Sequence, residues 1–321
     1  MPSRRDFVLS FAAVSLLAAA PALAQAPTAL NIFVPAAPGG GWDGTGRTIE
    51  MAMRTDAVIK EFKFENVGGA GGAVGLPRFL ARKGQGDTVM VAGMVMVGAL
   101  IAANSPVKMS DATPLARLTD EYEVIVVPAG SPHKTMADLI ASFKSDPGKV
   151  SWAGGSAGGT DHILAAMIGR AVGVDPKRVT YIAYAGGGPA LAALLGSQVT
   201  AGISGYSEFA EQIKGGKLRA LAVSAPTRLP GVDTPTLKEL GVDVVLGNWR
   251  GVFGAPGISP DQQKALLGLI DKMIAGPTWK AEVEKKGWTQ SYLPGAEFGK
   301  FIAEETTRIA AILTELDLKK K

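Results

Sequence analysis

The chain has no cysteine, only two histidines, no concentrated lysine or arginine stripe and no apolar run long enough to span a membrane. Without cysteine there are no disulfides and no thiol for a lipid anchor, so an exported form must rest on its packed core. With only His133 and His162, a His/Cys metal site lacks ligands, and any Ser/His/Asp triad is limited to those two rings. A nucleophile elbow is not expected. The stretch from Val89 to Ala103 comes closest to a membrane span, but Gly93, Gly98 and Asn104 interrupt or bound it, and a span needs about 20 apolar residues. The formal net charge of +4 gives no case for nucleic acid, and Lys319-Lys320-Lys321 reads as a solvated end.

What is present begins with an export address. Arg4-Arg5 precedes the short apolar run from Phe7 to Leu17, and Ala22-Leu23-Ala24 supplies small residues for cleavage. Residues 1–24 are therefore expected to be a signal peptide cleaved near Ala24, which places the protein in the periplasm. Ser3-Arg4-Arg5-Asp6-Phe7-Val8 points to the twin-arginine route; an ordinary secretory signal with two arginines is the alternative. The remaining chain of about 300 residues is long enough for two lobes, since single cores rarely grow further.

Strand-like and helix-like segments alternate, which implies α/β layers with largely parallel sheets. Leu30–Val34, Phe62–Val67, Thr88–Ala92 and Val124–Val127 read as strands, with a helix over Thr45–Arg54. A second run gives strands at Val150–Ala153, Gln198–Ile203 and Leu218–Val223. Its helix after Thr160 carries Ile163, Leu164, Met167 and Ile168 on one face, with Gly173 placed to close it. The last part of the chain, from Ser259-Pro260 onward, reads as helical.

Forty-one glycines are present, and they cluster. Pro38-Gly39-Gly40-Gly41-Trp42-Asp43 follows the first strand, and Gly154-Gly155-Ser156-Ala157-Gly158-Gly159-Thr160-Asp161-His162 follows a later one. Both read strand, glycine loop, Asp, helix. Glycine lets backbone N–H groups turn toward a ligand, and a helix start adds unpaired donors and the positive end of the dipole; together these suit an anion. The alternative is that the glycines only build turns. Likewise Thr160 either caps its helix or meets the ligand, and His162 is either a ligand contact or a partly buried polar side chain. Gly39 to Gly44 also fits the letters of a dinucleotide fingerprint, with Glu61 or Glu65 as the acidic partner. An exported cofactor-dependent oxidoreductase is therefore the alternative function.

These motifs, in order, resemble the substrate-binding proteins of tripartite tricarboxylate transporters, the Bug-type receptors. The resemblance rests on Val34 to Asp43, Glu65 to Gly75, Gly154 to His162, Tyr184 to Leu191, and Arg219 to Val223 with Arg228. It implies an α/β, two-lobed periplasmic-binding-protein fold with a hinged interlobe cleft, lobe one being 25–124 plus 249–321 and lobe two 125–248. It implies reversible capture of a small carboxylate, citrate-like or a dicarboxylate. The carboxylate is held without cofactor or catalysis and handed to membrane permease subunits, by a receptor expected to be a monomer. Carried over residue by residue, it points to Pro38, Gly39, Gly40, Gly41 and Asp43 and to Ser156, Ala157, Gly158, Gly159 and Thr160. His162, Gly186, Gly187, Tyr206 and Arg250 complete the candidate ligand-binding set. No acid is read near Ser204-Gly205-Tyr206, which fits a purely anionic ligand. Arg250, at the second lobe crossing, is expected to grip a carboxylate; the alternatives are an interlobe salt bridge or a stack on Trp249.

Overall fold

The computed structural model describes residues 27–319. The expected signal peptide and the last two lysines lie outside the described residues. The first strand, β1 (Ala29–Val34), lies parallel to β2 (Glu61–Asn66) on one side and to β3 (Thr88–Gly93) on the other. Between β1 and β2 runs α1 (Gly41–Thr55), which begins inside the glycine loop, four residues before the sequence reading places it. A short helix, α2 (Gly75–Leu80), precedes β3. The apolar run from Val89 is not one element. It breaks at Gly93 into β3 and α3 (Met94–Ala102), and a Cβ at Gly93 would collide with the Trp249 carbonyl oxygen of the neighbouring strand.

The largest departure from the sequence reading is β4, which spans Thr113–Pro128 rather than four residues. Its acidic stretch, Asp120 to Glu123, looks like a solvated loop until its partners are known. Up to Tyr122 it pairs antiparallel with β9 (Gly247–Gly254) and with β10 (Thr289–Pro294). From Glu123 it pairs with β7 (Ala201–Gly205) and β8 (Leu218–Val223). The strand β10 also corrects the reading of the chain end as wholly helical. The first sheet thus runs β2-β1-β3-β9-β4, with β10 alongside β4. The second carries β5 (Trp152–Gly154) between β6 (Tyr181–Ala183) and β7, all parallel.

Helices complete the layers: α4 (Met136–Ser145), α5 (Thr160–Ala171), α6 (Gly187–Leu195) and α7 (Tyr206–Lys214) around the second sheet, and α8 (Pro260–Ala275), α9 (Pro277–Lys285) and α10 (Gly295–Glu315) around the first. After α5, Gly173 takes φ +83°, the left-handed conformation that ends a helix without a Cβ penalty. Where the chain passes between sheets, Ser224 joins both passages: its hydroxyl accepts from the Glu123 N–H (3.0 Å) and donates to the Leu246 carbonyl (2.6 Å). The architecture is two α/β lobes sharing β4, with loops at the carboxyl ends of β1 and β5 directed at the space between them. Open α/β sheets bind ligands at such ends.

Candidate functional site

A cavity of about 60 Å³ lies where these loops meet. One wall comes from Pro35, Ala36 and Gly40 to Trp42, with Gly69, Gly71 and Val95. The other comes from Gly155, Ser156 and Asp161 and from Ala185 to Gly187. Ser204, Glu208, Asn248 and Arg250 close it. The walls also touch directly, the Ala37 N–H donating to the Ala185 carbonyl at 3.3 Å.

Six residues of the sequence-based set line this cavity: Gly40, Gly41, Ser156, Gly186, Gly187 and Arg250. The others do not. Pro38 and Gly39 are exposed at the rim, where their backbone packs on Gly188. The Asp43 carboxylate turns back to accept from the Gly39 N–H (3.1 Å) and from Asn66 Nδ2 (3.0 Å), so it braces the loop. Ala157 is exposed, and Gly158 packs under Gly98 and Ala102 of α3. Gly159 is the N-cap residue of α5, with Val95 beside its Cα. Thr160 is fully buried, makes no side-chain cap bond, and its hydroxyl has no partner among the described residues. Tyr206 opens α7, outside the cavity wall.

His162 packs within its own loop. Its Nδ1 accepts from the Gly158 N–H (3.0 Å) and its ring stacks on Tyr181 with centroids 4.4 Å apart. Burial pushes its pKa down to about 4, so the ring is neutral and serves as an acceptor. Tyr181 in turn donates to the Gly155 carbonyl at 2.7 Å, so the pair fixes the loop rather than touching the cavity. Residues 154–158 do spell G-x-S-x-G, contrary to the expectation of no elbow, and Ser156 lies between strand and helix at the cavity wall. A nucleophile needs a base within hydrogen-bond reach. His162 Nδ1 is already engaged by its own loop.

Arg250 is only 1 % exposed and forms ion pairs with Glu121 (2.7 Å) and Glu208 (3.0 Å). Alternation along β9 places Trp249 on the opposite side, in edge contact with Phe298 and Phe301, while Arg250 lies 5.5 Å from the Trp288 ring. The stack on Trp249 is thus replaced by Trp288, and the structural ion pair is present. Space for this pair explains two of the glycines. A Cβ at Gly41 would overlap the Arg250 guanidinium and Glu208, and one at Gly187 would overlap Glu208 Oε2.

Sequence reasoning missed the acids. Glu208 is two residues beyond Tyr206, so the absence of an acid there is corrected: on an amphipathic helix it looks like a solvent-facing charge. Glu121 and Glu123, two apart on β4, point to the same side. Asp161 joins them from the first turn of α5 and accepts from the Gly155 N–H. Burial pushes Glu208 up to about 7; Arg250 partly opposes this, and Glu121 and Asp161 add to it. Burial likewise raises Asp161 to about 6, against the Gly155 N–H and Arg250. Glu123, fully buried among the other three acids, is held well above the usual carboxylate range. The acids invoked for a dinucleotide site, Glu61 and Glu65, lie on β2 away from the cavity, with Glu65 paired to Arg82.

The two α/β lobes thus set helix N-termini and glycine loops around a central cavity, where open α/β sheets bind ligands. The model of the tripartite tricarboxylate transporter family receptor matches residues 52–318. The chain belongs to that family. It is 28 % identical to the protein BugT of Bordetella pertussis over 300 residues, covering 91 % of this chain and 90 % of BugT. Its fold matches the periplasmic binding protein BugD with a TM-score of 0.84 at 23 % identity, covering 91 % of this chain and 99 % of BugD. It matches MatC from Rhodopseudomonas palustris, solved with bound malate, with a TM-score of 0.81 at 23 % identity, covering 89 % and 99 %. The two-lobed periplasmic-binding-protein fold expected from the sequence is thus present.

Proposed function

We propose that this receptor captures a small carboxylate, a dicarboxylate or a citrate-like tricarboxylate, in the periplasm. It then hands the ligand, chemically unchanged, to the membrane subunits of a tripartite tricarboxylate transporter. The lobes are taken as 25–124 with 249–321, and 125–248, and the receptor as a monomer. The observation that carries the reading is the cavity between the N-termini of α1 and α6, lined by the backbone of Gly40, Gly41, Gly186 and Gly187 with Ser156 opposite. Unpaired N–H groups at helix starts favour a carboxylate without fixing the rest of the molecule. The bound malate of MatC, and the adipate of a second R. palustris protein of the same fold, support the carboxylate class. Thermal unfolding in the presence of dicarboxylates, citrate, aromatic carboxylates and amino acids tests it. Ligand at 100 times Kd stabilises by about 2.7 kcal/mol, and no shift with any carboxylate would overturn the reading.

A further inference from the structure

An anion receptor with three buried acids and a fourth, Glu208, nearly buried around one guanidinium poses an electrostatic problem. Arg250 matches Glu121, and Glu123 is shut away from the cavity lining behind Asn248, whose Nδ2 lies 2.9 Å from Glu123 Oε1. Glu208 and Asp161 remain on the cavity wall itself. Glu208 Oε1 faces Arg250, while Oε2 lies where a Cβ of Gly187 would be and 3.8 Å from that of Gly40. Oε2 is therefore among the N–H groups that would receive a carboxylate. Two ionised carboxylates there would repel the anion that the loops attract.

We propose that Glu208 is a further ligand-binding residue that works as its neutral acid: the receptor takes up an anionic carboxylate together with one proton, carried on Glu208 Oε2, whose O–H donates to the ligand. This rests on the carboxylate reading above. The groups facing Glu208 are Arg250 from β9, Glu121 and Glu123 from β4, Asp161 from α5, and the Ser204 hydroxyl at the end of β7. Beyond Arg250, Trp288 has Lys286 5.4 Å from its ring, and from α1 Asp43 is already engaged by Gly39 and Asn66. One cation thus serves several acids, and a bound anion adds another negative charge. The carboxyl pushed up to about 7 is the one poised to accept a proton when the anion arrives.

A second observation in the same wall points to a bound group. Asn248, 4 % exposed, lines the cavity, and its Oδ1 has no partner among the described residues. Its Nδ2 is already engaged, donating to Glu123 Oε1 at 2.9 Å. The floor beneath the glycine loops thereby sets the donor proposed here, the Glu208 O–H, beside an acceptor, Asn248 Oδ1, that has no partner among the described residues.

The test is titration calorimetry of the full chain with malate, adipate and citrate at pH 6 to 8.5. At each pH it is run in two buffers of different ionisation enthalpy, with aspartate as an ammonium-bearing control. The expected result is uptake of most of one proton per carboxylate above about pH 7, with affinity falling about tenfold per pH unit there. Glu208→Gln, which keeps a donor but cannot titrate, is expected to bind with an affinity nearly flat across that range. Zero proton uptake with flat wild-type affinity overturns the proposal while leaving the carboxylate reading intact. Tighter binding of aspartate than malate without proton uptake also overturns it, in favour of an ionised Glu208 paired with the ammonium group. No binding by any of the carboxylates at pH 6 overturns the function reading, and the proposal with it.

Discussion

The turn after β1 and the turn after β5 share one pattern in sequence, strand, glycine loop, aspartate, helix, yet they place their aspartates in different electrical surroundings. Asp43 accepts from Gly39 and Asn66 and lies 3.6 Å from Arg47. Asp161 also reaches back to its loop, through Gly155, but it is buried among Glu121, Glu208 and Arg250, and its carboxyl is pushed up to about 6. The same local code therefore builds the same turn. The charge that the turn presents to the cavity is decided by residues from β4, α7 and β9, far away in sequence.

Removing the cation should break this comparison most severely. Arg250→Ala leaves Glu121 and Glu208 without their buried partner and is expected to cost about 3–5 kcal/mol, read by denaturant unfolding at pH 8. The loss should shrink toward pH 5, where Glu208 is protonated. Next comes the pH profile itself. Asp161 and Glu208 have folded pKa values raised above those of the unfolded chain. Their contribution to stability is thus fully present below about pH 4 and lost as pH rises through about 6 and 7. For Asp161 this amounts to roughly 3 kcal/mol, at about 1.4 kcal/mol per pKa unit. Asp161→Asn is expected to flatten the fall between pH 4 and 7, and an unchanged profile would remove Asp161 from the cluster.

Asp43→Asn, the matching change in the first turn, should cost about 1–2 kcal/mol through weakened bonds to Gly39 and Asn66, visible as a lower Tm. The smallest effect is expected at His162. His162→Phe retains the stack on Tyr181 and loses the acceptor for Gly158, for about 1 kcal/mol at pH 7.5. The wild-type ring has a depressed pKa, so its own contribution is present above about pH 6.5 and lost as pH falls toward 4. His162→Phe should remove that acid-side loss.

Much of the fold was legible because it is written locally. Leu30–Val34 and Leu218–Val223 declare strands by their apolar content, Gly173 closes α5, and the order of glycine motifs carries the family resemblance. The hidden parts are those where tertiary contacts overrule local appearance. The charges of Asp120 to Glu123 conceal the middle of β4, because acidic residues are depleted in strands unless something compensates them; here Arg250 and Asn248 face Glu121 and Glu123. The site was half legible for the same reason. Gly41 and Gly187 stood out as glycines, but they matter at least partly because Arg250 and Glu208 fill the space a Cβ would take. Nothing local to Glu208 marks it, since only the fold brings α7 to the mouth of α1.

The sharing of β4 also bears on how the molecule comes apart. Its first half lies between β9 and β10, and its second half between β7 and β8. Each sheet therefore has the same segment in its interior, and neither can lose it without exposing the other. Two lobes of this kind are expected to melt as one cooperative unit, with coincident transitions by fluorescence and circular dichroism. Assembly is expected to be slow for the same reason. Asp120 must find Trp249 and Thr289, so the first sheet cannot close until nearly the whole chain has been gathered.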